Sequence, residues 1–269
     1  MLPALLIGTI AMIFYGVDIS IWIQNIFIWM LGVCFGYVIL NKTPLIELHK
    51  NPLLVTSILT ILLILPFWFN GLEGVHRWVT LGPFNFYIAS VILPILIVYL
   101  WRLSENNYLP YVIGFMILIG GILLVQPDAG QTTAFACAST IILWRAIENP
   151  KWQYITLIIL TLYVFTSWIY IDHLAPVPYV EQIIFLVADM GSMLLILGVG
   201  ALLLLVYPFF ITWKKDTLAS ALGLYFLMTI LVTFFGHFPM PIMGYGISPI
   251  IGYLIAITAT QKIKMAQTN

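Results

Sequence analysis

Charge is what this chain has least of. Only 7% of its 269 residues are Asp, Glu, Lys or Arg, against roughly a quarter in an average soluble domain. So little charge cannot cover the surface of a soluble protein, but it suits one whose surface is covered by lipid. Cysteine is nearly absent too. Cys34 and Cys137 each lie inside an apolar run, where they read as small buried hydrophobes and argue against a disulfide framework. The formal net charge is zero, so nothing argues for a nucleic-acid partner. The alternating polarity of a membrane β-barrel is missing. No basic residues precede the first apolar run at Leu2 and no clear cleavage site follows it, so that run is expected to be a retained membrane segment.

What is present is a series of continuous hydrophobic runs. They are about 17–24 residues long in most cases, which suits helices crossing roughly 30 Å of hydrocarbon. Ten segments fit, at about 2–17, 20–40, 51–69, 87–103, 109–125, 130–146, 152–171, 183–213, 217–236 and 243–261. The eighth is too long. About 31 residues make roughly 46 Å of straight helix, so its first turns, Glu181 to Asp189, are expected at the membrane interface or strongly tilted. Alternation of the loops then puts Lys42, Lys50, Arg102, Arg145, Lys151, Lys214, Lys215, Lys262 and Lys264 on one side. By the positive-inside rule that side, with both termini, is cytoplasmic. Trp101, Trp144, Trp152 and Trp213 each neighbour a basic residue at the same boundary, where indole rings favour the headgroup level. The fold class is therefore all-α, a polytopic membrane protein of about ten transmembrane helices. No soluble domain or internal repeat divides residues 1–269, so they form a single transmembrane domain.

Arg77 is the one basic residue on the other side. It suits three roles: snorkelling to outer phosphates, clamping a lipid-linked phosphate, or pairing with Asp128 or Glu73. Asp128 followed by Gln131 forms a helix-capping pattern just after Pro127, and a cap beside a polar cavity can also face substrate. Glu181 and Asp189, eight residues apart, fall on one face if both lie on one helix. They are either solvated interface acids or, with a raised pKa, a general base. The histidines show no ligand spacing, so no metal site is read, and nothing in the sequence identifies a cofactor. Gly244 and Gly246, flanked by Pro241 and Pro249, predict closely packed or broken helix, or irregular backbone lining a cavity.

Three ordered stretches carry a resemblance. Gly74-Val75-His76-Arg77-Trp78-Val79-Thr80-Leu81-Gly82-Pro83-Phe84-Asn85-Phe86 resembles the G-x-x-R-W-x-x-L-G-x-x-x-F loop of the SEDS family (shape, elongation, division and sporulation). Gln126-Pro127-Asp128-Ala129-Gly130 is similar to its Q-P-D-x-G, and Pro239 to Ser248 to its P-L-P-F-I-S-Y-G-G-S. The resemblance spans roughly residues 50–260. It implies a multi-pass protein of the bacterial cytoplasmic (inner) membrane that works in peptidoglycan synthesis, in cell shape or division. It implies lipid II or a related undecaprenyl-linked substrate, and a single-span transpeptidase as partner. It assigns Arg77, Trp78, Gln126, Asp128, Asp189 and Tyr245 to substrate binding and Glu181 to the catalytic base of a glycosyltransferase. The chain departs from the pattern in two places. The family's downstream glutamate and lysine read Ser90 and Leu93, and its long loop between helices seven and eight is only about eleven residues here, Asp172 to Gln182. These departures favour a non-catalytic scaffold as the alternative. A transporter of lipid-linked substrate is a third reading, weakened by the lack of ionisable residues at mid-membrane.

Overall fold

The computed structural model describes residues 1–42, 51–82, 84–106, 108–213 and 216–268, with side chains to 265. Lys50, Pro83, Asn107, Lys214 and Lys215 lie outside the described residues. The helices are α1 (Leu2–Phe14), α2 (Ile19–Lys42), α3 (Pro52–Leu63), α4 (Ile88–Glu105), α5 (Leu109–Val125), α6 (Ala129–Ala146), α7 (Pro150–Ile169), α8 (Ile183–Asp189), α9 (Ser192–Phe210), α10 (Thr217–Leu231) and α11 (Ile247–Thr268). Every one of the ten hydrophobic segments holds helix. Five stretches, 19–42, 88–105, 150–169, 192–210 and 217–234, are long and apolar enough to cross a membrane by length and composition alone.

Local chemistry sets the helix starts. Asp128, Asn149 and Asp216 each accept a backbone N–H from the first turn of α6, α7 and α10, satisfying donors the helix itself cannot. Pro52, Pro110 and Pro150 open α3, α5 and α7, where a missing N–H costs nothing. In a membrane these caps matter more than in water, because no solvent waits to take an orphaned group.

The eighth segment does not form one helix. It breaks at Gly191, whose φ of +133° belongs to the region that favours glycine, leaving the short α8 before α9. Glu181 precedes α8 instead of riding on it, in a turn where the N–H groups of Val180, Glu181 and Gln182 donate to the carbonyls of Val177, Val177 and Pro178. Glu181 and Asp189 therefore do not share one helix face. A second departure is a small hairpin in the 70–86 connection. Strand β1 (Trp78–Leu81) pairs antiparallel with β2 (Phe84–Tyr87), Trp78 opposite Tyr87. Aromatic and β-branched residues on both sides of Gly82, at φ +60°, favour that ribbon. A third is Cys34, which is exposed on α2 while Cys137 on α6 is half-buried.

Helices α4, α6 and α10 pack together at the centre, with α11, α3, α5, α7 and α9 around them. Small residues let α6 sit deepest: Ala129, Gly130, Ala134, Ala136 and Ala138 are buried with Thr132, Thr133 and Ser139. Helix α2 lies at the edge and packs mainly on α11. Of its 24 residues only Asn25 and Gly36 are buried.

Candidate functional site

The three motif stretches meet at the end of the bundle away from the termini. Arg77, just before β1, is only 3% exposed. Its Nε donates to the Gln126 carbonyl at 3.4 Å, and its Nη2 donates to the Pro127 carbonyl and to Oδ2 of Asp172. Nε also stands 3.9 Å from Oδ2 of Asp128. The guanidinium lies 6.0 Å from the Trp78 ring and 5.9 Å from the Phe238 ring, within cation–π range. Glu73 is exposed and forms no ion pair with Arg77. The side chain is turned inward, toward the second motif, and does not snorkel.

Asp128 is fully buried and serves two elements. Its Oδ1 accepts the Gln131 N–H at 3.0 Å, capping α6, and its Oδ2 accepts the Tyr87 hydroxyl. The capping pattern is half formed, because Gln131 does not reach back. Its Oε1 instead accepts the Tyr225 hydroxyl of α10 at 2.6 Å. The Tyr87 N–H donates to Ser248 Oγ at 2.9 Å, which ties the first motif to the end of the third. Gln126 reaches the Leu63 carbonyl at 2.7 Å. Burial pulls the Arg77 pKa down, but Asp128, Tyr87 and Asp172 outweigh it, and the net direction is up. Burial pushes the Asp128 carboxyl up against the opposing pull of Arg77, Tyr87 and the Gln131 N–H.

The turn carrying Glu181 is fastened to the third motif. The Met240 N–H donates to the Val180 carbonyl at 3.0 Å and the Tyr245 N–H to the Tyr179 carbonyl at 2.9 Å. A side chain at Gly244 would put its Cβ 2.2 Å from the Val180 carbonyl oxygen, so only glycine allows this approach. From α2, Asn25 donates to the Gly244 carbonyl at 3.0 Å and accepts the Gly246 N–H at 3.2 Å. Gln24 accepts the Tyr245 hydroxyl at 3.0 Å. Between these ties Ile242 is held at φ +68°, a costly conformation for a β-branched residue. The Glu181 carboxylate accepts the Val177 N–H at 2.7 Å. Burial pushes its pKa up to about 7, against the pull of two backbone N–H groups, His237 and Arg77. A carboxyl that titrates near neutrality suits proton transfer.

Of the residues singled out from sequence, Arg77, Trp78, Gln126 and Asp128 thus form one cluster. Glu181 and Tyr245 stand on the adjoining pair of loops. Asp189 ends α8, exposed and without an ion pair. Sequence reasoning gave no site role to Asp172, Tyr87, Ser248, Tyr225 or Asn25. For Asn25 a signal existed, since the amide pair Gln24-Asn25 inside an apolar helix rarely lacks partners. Among the described residues no group of three or more His, Cys, Asp or Glu is arranged to hold a metal. A groove of about 450 Å³ between α2, α4 and α11 shares no residue with the cluster. Its apolar walls suit hydrocarbon, not a sugar or phosphate.

No family model matches the chain. A stretch of 104 residues is 33% identical to a protein from Trichlorobacter lovleyi described as a probable peptidoglycan glycosyltransferase FtsW. That match covers 35% of this chain and 27% of the relative, so the chain aligns with little more than a quarter of it. The whole fold has solved counterparts. The crystal structure of the rod shape determining protein RodA of Thermus thermophilus superposes with a TM-score of 0.74 over 99% of this chain and 94% of that one, at 16% identity. A mutant form of the same protein gives the same score over 98% of this chain. A chain from a peptidoglycan synthase complex that coordinates polymerization and crosslinking gives 0.69 over 97% of this chain and 96% of its own, again at 16% identity. The polytopic RodA fold is therefore shared; at such identity, residue roles do not carry over with it.

Proposed function

We infer that this chain is a short, divergent member of the SEDS family and that it recognises an undecaprenyl-linked diphosphate sugar, lipid II or a relative, on the outer face of the bacterial cytoplasmic membrane. The observation that supports this best is the meeting of the three motif stretches. Residues 74–87, 126–131 and 239–248 are far apart in sequence, yet they are joined through Arg77, Asp128, Tyr87 and Ser248. The turn bearing Glu181 is fixed to the third of them. In the catalytic form of this reading Glu181 takes a proton from the acceptor sugar hydroxyl as that oxygen attacks the anomeric carbon. The lipid diphosphate leaves with the bonding electron pair. Trp78, Gln126, Tyr245 and Asp189 line the approach or position the loops that do.

Polymerisation of purified lipid II by the protein in nanodiscs tests the catalytic form. Glycan polymer from the wild type and none from Glu181→Gln is the expected pair of results. No polymer from a folded wild type, under conditions where an active glycan polymerase makes it, would remove the catalytic role.

One observation favours a second reading, a scaffold that binds the substrate or a single-span synthase partner without catalysing. Ser90 and Leu93, which stand where the family has its glutamate and lysine, are both buried in packing. Ser90 donates to the Tyr87 carbonyl at 3.0 Å, and its own carbonyl oxygen is where a Cβ on Gly252 of α11 would fall, 2.0 Å away. That space is occupied by helix contacts. On this reading Glu181→Gln leaves function in cells unchanged.

A further inference from the structure

We propose that Asp172 is a built-in competitor for the anion site on Arg77, and that the connection 171–177 is a latch which an incoming phosphate must release. The proposal rests on the reading that this end of the bundle takes a lipid-linked diphosphate. One guanidinium faces two carboxylates, Asp128 and Asp172. The two acids are held very differently. Asp128 is fully buried, caps α6 and accepts the Tyr87 hydroxyl, so moving it would undo a helix start. Asp172 lies in a stretch with no helix or strand. Beyond Arg77 its one hydrogen-bond partner among the described residues is the Leu174 N–H, at 3.1 Å, on the same stretch. A second tie, from the His237 ring to the Leu174 carbonyl at 3.2 Å, is exposed.

The remaining guanidinium nitrogen is the second observation. Nε and Nη2 both have acceptors, whereas Nη1 has none among the described residues. Arg77 is only 3% exposed, and Nη1 keeps part of that small exposed surface. A phosphate can meet Nη1 first. It can reach the two-point contact that guanidinium geometry favours only by taking Nη2 from Asp172, because a carboxylate and a phosphate repel each other on one donor. One guanidinium faces two carboxylates, so a phosphate arriving at the same donors meets repulsion from Asp172 unless that side chain moves out to water. The free protein is thus self-capped, and the ligand that opens it is a phosphate or diphosphate, lipid-borne or free.

The test compares wild type with Asp172→Asn in nanodiscs, using lipid II and inorganic pyrophosphate as separate probes. Hydrogen exchange at residues 171–177 is followed in the wild type with and without probe. The latch predicts tighter binding to Asp172→Asn, on the order of 5-fold or more, the lower end of common coupling between sites. It also predicts faster exchange at Leu174 when the wild type binds. Tightening for both probes identifies a free anion as sufficient, and tightening for lipid II alone identifies the lipid-borne group; either supports the latch. If wild type binds lipid II but neither affinity nor exchange responds, the latch is wrong and the substrate reading stands. If a folded protein binds neither probe, both are wrong. Should Asp172→Asn fail to fold, the exchange result on wild type decides alone.

Discussion

Arg77 shows how burial reassigns a residue. A cation at a membrane boundary ordinarily reaches for headgroups, but here it is enclosed by carbonyls, two carboxylates and two aromatic rings. Removing one partner of such a buried pair leaves the other charge uncompensated, at a cost of about 3–5 kcal/mol. Arg77→Ala is therefore expected to lower the thermal unfolding midpoint in detergent sharply. Arg77→Lys keeps the charge but not the fork, and falls between. Glu181 makes a different prediction, because its carboxyl is pushed up to about 7. A general base works only when deprotonated, so the polymerisation rate should rise as pH increases through about 7 and level off above it. In Glu181→Gln the profile should be flat and low. The sequence singled out both residues, because charge is so scarce that each exception stands out. It did not name Asp172 as the partner of Arg77. That pairing depends on how the connection after α7 folds back, and no local pattern encodes it.

At the scale of elements, periodicity and caps carried most of the information. Hydrophobic length located the helices, and Asp128 marked the start of α6. Two things were hidden. The break between α8 and α9 depends on one backbone conformation, at Gly191, and Asp189, Gly191 and Ser192 are the brief interruption of the apolar run that accompanies it. The hairpin of β1 and β2 has strand-favouring residues, but four residues on each side are too few to stand out within a connection between helices. The joining of the 177–182 turn to the 239–246 loop was legible only in part, as the glycines that permit it. Asn25 reaches across to hold that junction from an otherwise peripheral helix. Asn25→Ala orphans a carbonyl and an N–H at about 1–3 kcal/mol each. Hydrogen exchange should quicken in both 240–246 and 177–182, while the α4–α6–α10 centre stays protected. Equal acceleration everywhere would mean that Asn25 supports the whole bundle and not this junction.

For the whole molecule, Lys42, Arg102, Arg145, Lys151, Lys262 and Lys264 lie on α2, α4, α6, α7 and α11, whereas Arg77 lies in the cluster where the motif stretches meet. The RodA-like architecture extends over nearly the full length, whereas sequence similarity survives only locally. The reason is physical: apolar helix faces in lipid tolerate many substitutions, while residues that satisfy buried polar groups tolerate few. Arg77, Gln126, Asp128, Gln131 and Ser248 are buried polar residues that the motif stretches supply. The measurement that bears most directly on the account is photo-crosslinking of a diazirine-bearing lipid II to the protein in nanodiscs, with the labelled peptides mapped by mass spectrometry. The account predicts saturable labelling at residues 74–87, 171–182 and 239–248, competed by unmodified lipid II. Labelling that is not competed, or that falls only on the outward faces of α7 and α9, would contradict it.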